Sequence, residues 1–134
     1  MHEATPTSPD SARVRNTKIE EGIKALILKG KSSKKNYQFN IPSHFKIDMK
    51  IIAELVGEKC EFEEASVIFE RFGLHVGGIP PFGNLMNLDT FFDNSISELE
   101  KVAFNCGMPT ESIVMKGKDL IELVQPKFGF FSKI

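Results

Sequence analysis

Long apolar runs are missing from this sequence, and with them the usual mark of a membrane protein. No stretch approaches the roughly 20 consecutive apolar residues that a membrane-spanning helix needs. The N-terminal segment MHEATPTSPD is polar and contains no apolar signal region, so no secretory leader is visible. The chain is therefore expected to be cytoplasmic.

Cysteine and the larger aromatic residues are also scarce. Tryptophan is absent, tyrosine occurs once and cysteine twice, whereas phenylalanine occurs 12 times. Cys60 and Cys106 form no CxxC motif; a disulfide between them is allowed, but reduced thiols are the favoured interpretation. The core is expected to consist of aliphatic and phenylalanine side chains.

A strong net charge is lacking too. The net charge is −1, so the chain has no global basicity of the kind that marks nucleic-acid-binding proteins. The charges are unevenly placed, however. Residues 1–60 carry 11 Lys and Arg against 7 Asp and Glu, whereas residues 61–134 carry 6 against 11.

No familiar nucleotide, nucleophile or metal motif occurs. The loops GxxxxGK[ST] and GxGxxG are absent, which disfavours ordinary nucleotide binding, and there is no GxSxG elbow. The histidines His2, His44 and His75 lack the spacing of metal ligands, so no metal site is predicted. His75 lies near a glycine-rich loop, but a structural or exposed role is the favoured interpretation.

Short strands and short helices follow each other without regular βα alternation, which predicts a mixed α+β fold in one domain, 1–134. Asp48 and Gly57 are expected to cap one helix, and Gly73 to end the next. A turn that contains Gly107 and Pro109 is expected to join the last two strands. The predicted helices are 8–15, 48–57, about 64–72 and 118–124, and the predicted strands are 23–29, 37–42, 60–62, 84–93, 101–106 and 111–115.

The segment 77–83, GGIPPFG, contains three glycines and two prolines, which excludes a helix or a regular strand. We call it the glycine loop. A rigid loop of this kind is a good receptor for carbonyl or phosphate oxygens when its amides point outward. The amides expected to do so are those of Gly77, Gly78, Ile79, Phe82 and Gly83. A plain turn between a helix and a strand is the alternative.

Lys24 is the second candidate for a functional residue. Alternation along strand 23–29 places Lys24 with Leu26 and Leu28, the bulkier pair, so this face is expected to be the core side. An ammonium there is costly to bury unless it reaches a cleft or oxygen atoms. A lysine that extends to water from the strand end is the simpler alternative, and a cleft ammonium that binds a substrate oxygen is the functional one.

Two further charged groups are weighed in the same way. Asp89 and Asp93 share a face of their strand, and Asp93 is expected to cap the turn FFDNSIS rather than act as a base. The lysines of the hairpin 29–36 are expected to form a solvated tip, the alternative being contact with a phosphate backbone. They are Lys29, Lys31, Lys34 and Lys35.

The chain resembles the YbaK/prolyl-tRNA editing domains over nearly its whole length. Segments that match this family in order are GIKALILKGK, DMKIIAELVG, GLHVGGIPPFG, FFDNSI and FNCGMPTESIVMKGKDLIELV. The opening HEATPTSPDSARVR is also similar. Family members commonly begin with an additional helix and strand before the segment that matches His2, and the chain is expected to lack that unit.

The resemblance implies a curved, barrel-like sheet with surrounding helices and an editing deacylase that hydrolyses the ester of a mischarged tRNA. Lys24 would hold the aminoacyl end, and the amides around Gly77 and Gly78 would grip the ester carbonyl. No metal or organic cofactor is implied. The expected partner is the 3′ aminoacyl end of a small-residue mischarged tRNA, on tRNA(Pro) or a related tRNA; an aminoacyl-tRNA synthetase is a further candidate. Expected substrate-binding residues are Ile79, Pro80, Phe82, Gly83, Asp93 and Ser112.

A different class of protein fits the same resemblance. A non-catalytic module that binds aminoacyl ends or tRNA, or that assists a synthetase, would share these segments. A hydrolase of other small esters is a third, weaker interpretation. Salt-sensitive tRNA binding without deacylation would favour the module, and hydrolysis indifferent to tRNA would favour the esterase.

Overall fold

The structure is a computed structural model that describes residues 22–106 and 108–133, except for the side chains of residues 106–112. The predicted helix 8–15, His2 and Gly107 lie outside the described residues. Nine strands and three α-helices follow each other within this part of the chain. They are β1 (Ile23–Gly30), β2 (Asn36–Pro42), β3 (Lys46–Ile47), α1 (Met49–Val56), β4 (Cys60–Phe62), α2 (Ala65–Phe72), β5 (Asp89–Asp93), β6 (Lys101–Cys106), β7 (Met108–Lys116), α3 (Gly117–Val124), β8 (Lys127–Gly129) and β9 (Ser132–Lys133).

The main sheet has five strands in the order β4-β1-β2-β5-β8. β1 runs antiparallel to both β2 and β4, whereas β2, β5 and β8 run parallel to one another. Two smaller antiparallel sheets, β3–β9 and β6–β7, complete the strands. The predicted α+β class is confirmed.

Local signals place the helices as expected. The Asp48 carboxylate accepts hydrogen bonds from the amides of Lys50 and Ile51 and caps α1. Gly57 and Gly73 follow α1 and α2 with φ of 81° and 69°, in the left-handed conformation that glycine adopts without strain. The hairpin of β1 and β2 also forms as predicted.

Two predicted boundaries are wrong. The strand expected over 84–93 covers only Asp89–Asp93, because Gly83–Met86 forms a 3₁₀ helix that ends at Asn87 with φ of 59°. Pro109 lies inside β7 rather than in a turn. The short strands β3, β8 and β9 were not predicted, because each pairs with a distant segment. The turn that Asp93 was expected to cap is a 3₁₀ helix, Asn94–Glu98.

β1 is buried on both faces, which corrects the expectation of a single core side. Leu28 is fully buried and Ile27 is 3% exposed, although the two side chains point in opposite directions. Leu28 packs with Phe39, Ile41 and α1, whereas Ile27 packs with Ile68 of α2. Alternation along this strand therefore cannot distinguish core from surface.

No helix in the described part of the chain is long and apolar enough to cross a membrane.

Candidate functional site

The glycine loop begins with a tight turn. The amide of Gly78 donates a hydrogen bond to the carbonyl oxygen of His75 at 2.9 Å. Gly77, the third residue of this turn, has φ of 91°, as a type II turn requires. A side chain at Gly77 would be strained in this conformation, so the turn explains the first glycine of the loop.

The second half of the loop is held by the buried side chain of Gln38 from β2. Gln38 Nε2 donates to the carbonyl oxygen of Pro80, and Gln38 Oε1 accepts from the amide of Gly83, both at 3.0 Å. A Cβ at Gly83 would lie only 2.3 Å from Thr90 Oγ1, so glycine lets the backbone approach β5. The loop is therefore held at both of its ends and is rigid, as predicted.

The expectation that all five amides point outward is wrong for two of them. The amide of Gly78 closes the turn with His75, and the amide of Gly83 is bonded to Gln38. The amides of Gly77, Ile79 and Phe82 have no hydrogen-bond acceptor within the described part of the chain. These three remain as candidate donors to a ligand.

Apolar contacts seat the loop on the sheet. Ile79 is 5% exposed and packs with Ile27 and Ile68. The ring of Phe82 meets that of Phe104 edge to face, with centroids 5.7 Å apart. Pro80 is half-buried. The loop thus covers the face of β1 that carries Ala25 and Ile27.

Lys24 extends from the opposite face of β1. It lies across from Ile41 of β2, on the side where Leu26 packs against the cluster that includes α1. The side chain is partly buried, and this loss of water lowers the pKa of Lys24 from its usual value. No hydrogen bond joins its ammonium to another described residue. Lys24 is a partly desolvated cation at the start of the strand.

Strand β6 connects this lysine with the glycine loop. Gly22 and Ala103 form an isolated parallel bridge. Continuing its register by two residues along each strand would set Lys24 level with Asn105, and side chains at matched positions of parallel strands point to the same face. The next pair of residues agrees with this register, since Ile23 and Phe104 belong to one hydrophobic cluster.

Asn105 in turn bonds the loop. Its Nδ2 donates to the carbonyl oxygen of Gly77, while its Oδ1 is buried and has no hydrogen-bond partner among the residues that the structure describes. The pairing register of β6 and β7 shifts just after Asn105, an irregularity of the kind that re-aims side chains beside functional sites. Asn105 thus joins Gly77 of the glycine loop to the part of β6 that follows the bridge with Gly22.

Ser112 belongs to the same corner through its backbone, which pairs with Asn105 across β6 and β7. The sequence did not single out Asn105 or Gln38. Gln38 alternates with Asn36 and Asn40 along β2, a pattern typical of a solvent-exposed face although all three are buried, and Asn105 is a polar residue near the end of β6, KVAFNC.

Asp93 has the contacts of a capping residue. Its Oδ2 accepts from the amide and hydroxyl of Ser95, and its Oδ1 accepts from the amides of Phe131 and Ser132 at 2.9 and 3.0 Å. The side chain is 3% exposed. The capping prediction is confirmed, and all four contacts are internal to the protein.

The lysine tip carries its own counter-charges. Lys35 Nζ lies 2.7 Å from Asp89 Oδ2. Glu58 accepts hydrogen bonds from the amides of Ser32 and Ser33 and from the hydroxyls of Ser33 and Tyr37. These bonds lower the pKa of Glu58 to about 2, chiefly through Ser33.

Neither described histidine is placed like a metal ligand or a base. His75 stacks obliquely on Phe69, with centroids 5.0 Å apart, and His44 meets Phe45 edge to face. Within the residues that the structure describes, no group of three His, Cys, Asp or Glu side chains could hold a metal ion. Cys60 is a buried free thiol whose pKa is raised by desolvation.

Sequence comparison assigns the chain to a known family. The profile of the family described as the aminoacyl-tRNA editing domain matches residues 2–123. The chain belongs to this family. The resemblance to YbaK-like editing domains is confirmed, and so is the prediction of an aminoacyl-tRNA editing enzyme at the level of the family.

One curated relative of this editing domain is the multifunctional Ser/Thr-tRNA deacylase ProXp-y of Escherichia coli strain K12. The two are 26% identical over 136 residues, which cover 98% of this chain and 81% of the relative.

Solved structures share the fold of the editing domain. A putative trans-editing enzyme for prolyl-tRNA synthetase superposes with a TM-score of 0.86 at 21% identity, over 97% of this chain and 82% of the other. A hypothetical protein of known crystal structure superposes with a TM-score of 0.89 at 22% identity, over 99% of this chain and 88% of the other.

Proposed function

We propose that this editing domain hydrolyses the ester bond between a small amino acid and the 3′ end of a mischarged tRNA. The observation that carries the proposal is the register of β1 and β6. Continued from the Gly22–Ala103 bridge, this register would set Lys24 level with Asn105, whose side-chain amide bonds Gly77 of the glycine loop. This supports a site made of the Lys24 ammonium and the amides of Gly77 and Ile79, which have no acceptor within the described part of the chain.

These groups suit ester hydrolysis. Attack on the ester carbonyl puts negative charge on its oxygen, and the amides of Gly77 and Ile79 donate to that oxygen. The Lys24 ammonium stabilises the same charge, and one fixed donor of this kind contributes roughly 3 kcal/mol to the transition state. Gly78 supports the site by closing the turn rather than by donating, because its amide is already bonded.

The attacking group is a water molecule, which the substrate itself activates. The oxygen of a water molecule, activated by a ribose hydroxyl of the tRNA, adds to the carbonyl carbon. The bond from this carbon to the ribose oxygen then breaks, and the ribose oxygen takes up a proton. The products are a free amino acid and an uncharged tRNA.

Small side chains are the proposed substrates. The relative ProXp-y is named as a Ser/Thr-tRNA deacylase, which puts serine and threonine first among alanine, cysteine, serine, threonine and proline. Apolar pockets separate neighbouring side chains by only about 1–3 kcal/mol, so selection depends on excluding a larger residue. The other proposed substrate contacts are Pro80, Phe82 and Ser112. Asp93 and Gly83 are not among them, because the Asp93 carboxylate and the Gly83 amide are already bonded within the protein.

The test is a deacylation panel on one tRNA charged in turn with each small amino acid. Lys24→Ala is expected to lower kcat/KM by about 100-fold, the loss that one charge-stabilising donor causes. Lys29→Ala, a lysine at the other end of the same strand, is the matched control and should keep wild-type turnover. Thermal unfolding of both variants shows whether the fold is intact.

Two outcomes would contradict the proposal. Equal turnover by Lys24→Ala and wild type removes Lys24 from the site. Salt-sensitive tRNA binding without hydrolysis of any aminoacyl ester supports the non-catalytic module instead.

A further inference from the structure

We infer that Asn105 Oδ1 binds the α-ammonium group of the aminoacyl substrate while Asn105 Nδ2 fixes the glycine loop. The inference rests on the proposed function and names a substrate contact that the family resemblance did not supply. Asn105 is thus both a substrate-binding and a positioning residue.

The hydrogen bond to Gly77 fixes which way the carboxamide faces. Nδ2 donates to the Gly77 carbonyl oxygen. Exchange of the nitrogen and the oxygen would set two acceptors against each other, so Oδ1 must point away from the loop backbone. The direction of this acceptor is therefore set by the same contact that holds Gly77.

An unpartnered buried oxygen is costly. Leaving a buried acceptor without a donor destabilises a fold by about 1–3 kcal/mol, and such atoms in native proteins call for an explanation. Asn40 Oδ1, Ser43 Oγ and Ser132 Oγ share this property in the described part of the chain. Within the described part of the chain, none of these three residues is hydrogen-bonded to residues 75–83, whereas Asn105 is. Asn105 Oδ1 is therefore the unpartnered oxygen that belongs to the glycine loop.

The substrate supplies a donor that fits this acceptor. An α-ammonium group is attached to the carbon next to the ester carbonyl. If the amides of Gly77 and Ile79 hold the carbonyl oxygen, the ammonium falls beside the side chain that bonds Gly77. The charge of the acceptor also suits the site. A neutral amide oxygen binds an ammonium group without forming an ion pair with Lys24, which a carboxylate at this position would do.

The experiment compares two substrates in each variant. One is the aminoacyl-tRNA that the wild type deacylates best, and the other is its desamino analogue, which lacks only the α-ammonium group. The quantity measured is the ratio of their kcat/KM values, because the folded fraction of each preparation cancels in this ratio. A hydrogen bond to a charged group is worth about 1.5–3 kcal/mol, equivalent to roughly 10- to 100-fold.

Asn105→Leu is expected to lower this ratio by about 10-fold or more relative to wild type. Asn105→Asp, which retains an acceptor but loses the donor to Gly77, should keep the preference for the ammonium substrate while kcat falls. Gln38→Met is the matched control. It loosens the same loop from its other side, so it should slow both substrates and leave the ratio unchanged.

An unchanged ratio in Asn105→Leu overturns the inference, because the preference for the ammonium group then comes from elsewhere. An equal fall of the ratio in Gln38→Met also overturns it, since loop position alone would explain the effect. Failure of the wild type to hydrolyse either substrate contradicts the proposed function itself, and is distinguishable from both results.

Discussion

The two ends of β1 differ in whether their charged and polar side chains have partners inside the protein. At the hairpin end, Lys35 is paired with Asp89, and Glu58 accepts hydrogen bonds from two amides and two hydroxyls. At the other end, burial lowers the pKa of Lys24, and Asn105 Oδ1 has no hydrogen-bond partner within residues 22–106 and 108–133. The hairpin end has more lysines, and Lys35 and Glu58 there have ion-pair or hydrogen-bond partners. The other end has fewer charged groups, and there Lys24 and Asn105 Oδ1 have no partner within the described residues.

Whether a polar group has internal partners indicates whether it stabilises the fold or is able to bind a ligand. A polar atom whose partners are all internal contributes to the free energy of folding and has no capacity left for a substrate. A partly buried atom without a partner costs stability and retains that capacity. By this criterion we expect Asp93 and Gln38 to support the site and Lys24 and Asn105 to contact the substrate, as proposed above.

The largest expected effect is on stability and follows the removal of a side chain whose hydrogen bonds are all internal. Asp93→Ala leaves the amides of Ser95, Phe131 and Ser132 without their acceptor and should lower the free energy of unfolding by about 3 kcal/mol. Chemical denaturation measures this loss. Deacylation per folded molecule should change little; a large fall in kcat with wild-type stability would instead make Asp93 a substrate contact.

A smaller effect is expected at the hairpin end, where Glu58 links stability to pH. Its pKa is about 2 in the folded protein against an ordinary value of 4.5. Its contribution is therefore complete above pH 4.5 and is lost as the pH falls from 4.5 toward 2. Glu58→Gln should flatten the acid decline of the unfolding midpoint in this window, with Glu61→Gln of β4 as the control. If the acid decline is the same in Glu58→Gln and wild type, the hydrogen bonds of Glu58 do not make stability depend on pH in this window.

The smallest expected effect is a gain in stability rather than a loss, and it is expected at the Lys24 end of β1. Lys24→Met removes a cation that burial has partly desolvated, so it should raise the melting temperature slightly at neutral pH while deacylation is lost. Differential scanning calorimetry beside the activity assay measures both. A clear fall in melting temperature would mean that Lys24 stabilises the fold, and the contrast between the two ends would disappear.

Features fixed by a few neighbouring residues were predictable. Asp48, Gly57 and Gly73 cap their helices because the required acceptor or left-handed conformation is a local property. The rigidity of the glycine loop followed in the same way from its composition. The 3₁₀ helix at Gly83–Met86 did not, since its backbone lies against Thr90 and Gln38, which come from two other strands.

The site was only half predictable for the same reason. Lys24 and the glycine loop stand out in the sequence, and family resemblance associates them. The residue that connects them, Asn105, shows only as the polar end of an apolar strand. The outward direction predicted for the amides of Gly78 and Gly83 was wrong because their acceptors lie on His75 and Gln38, outside the loop.

The sequence by itself determined the family, the helix caps, the β1–β2 hairpin and the turn that needs glycine at position 77. Each depends on residue type or on partners a few positions away. Only the tertiary structure decided that Lys24 is partly buried and that Asn105 bonds the glycine loop. Asn105 and Gly77 are 28 residues apart in the chain, and the approach of β6 to β1 depends on a bridge between Gly22 and Ala103 that packing of the whole sheet selects.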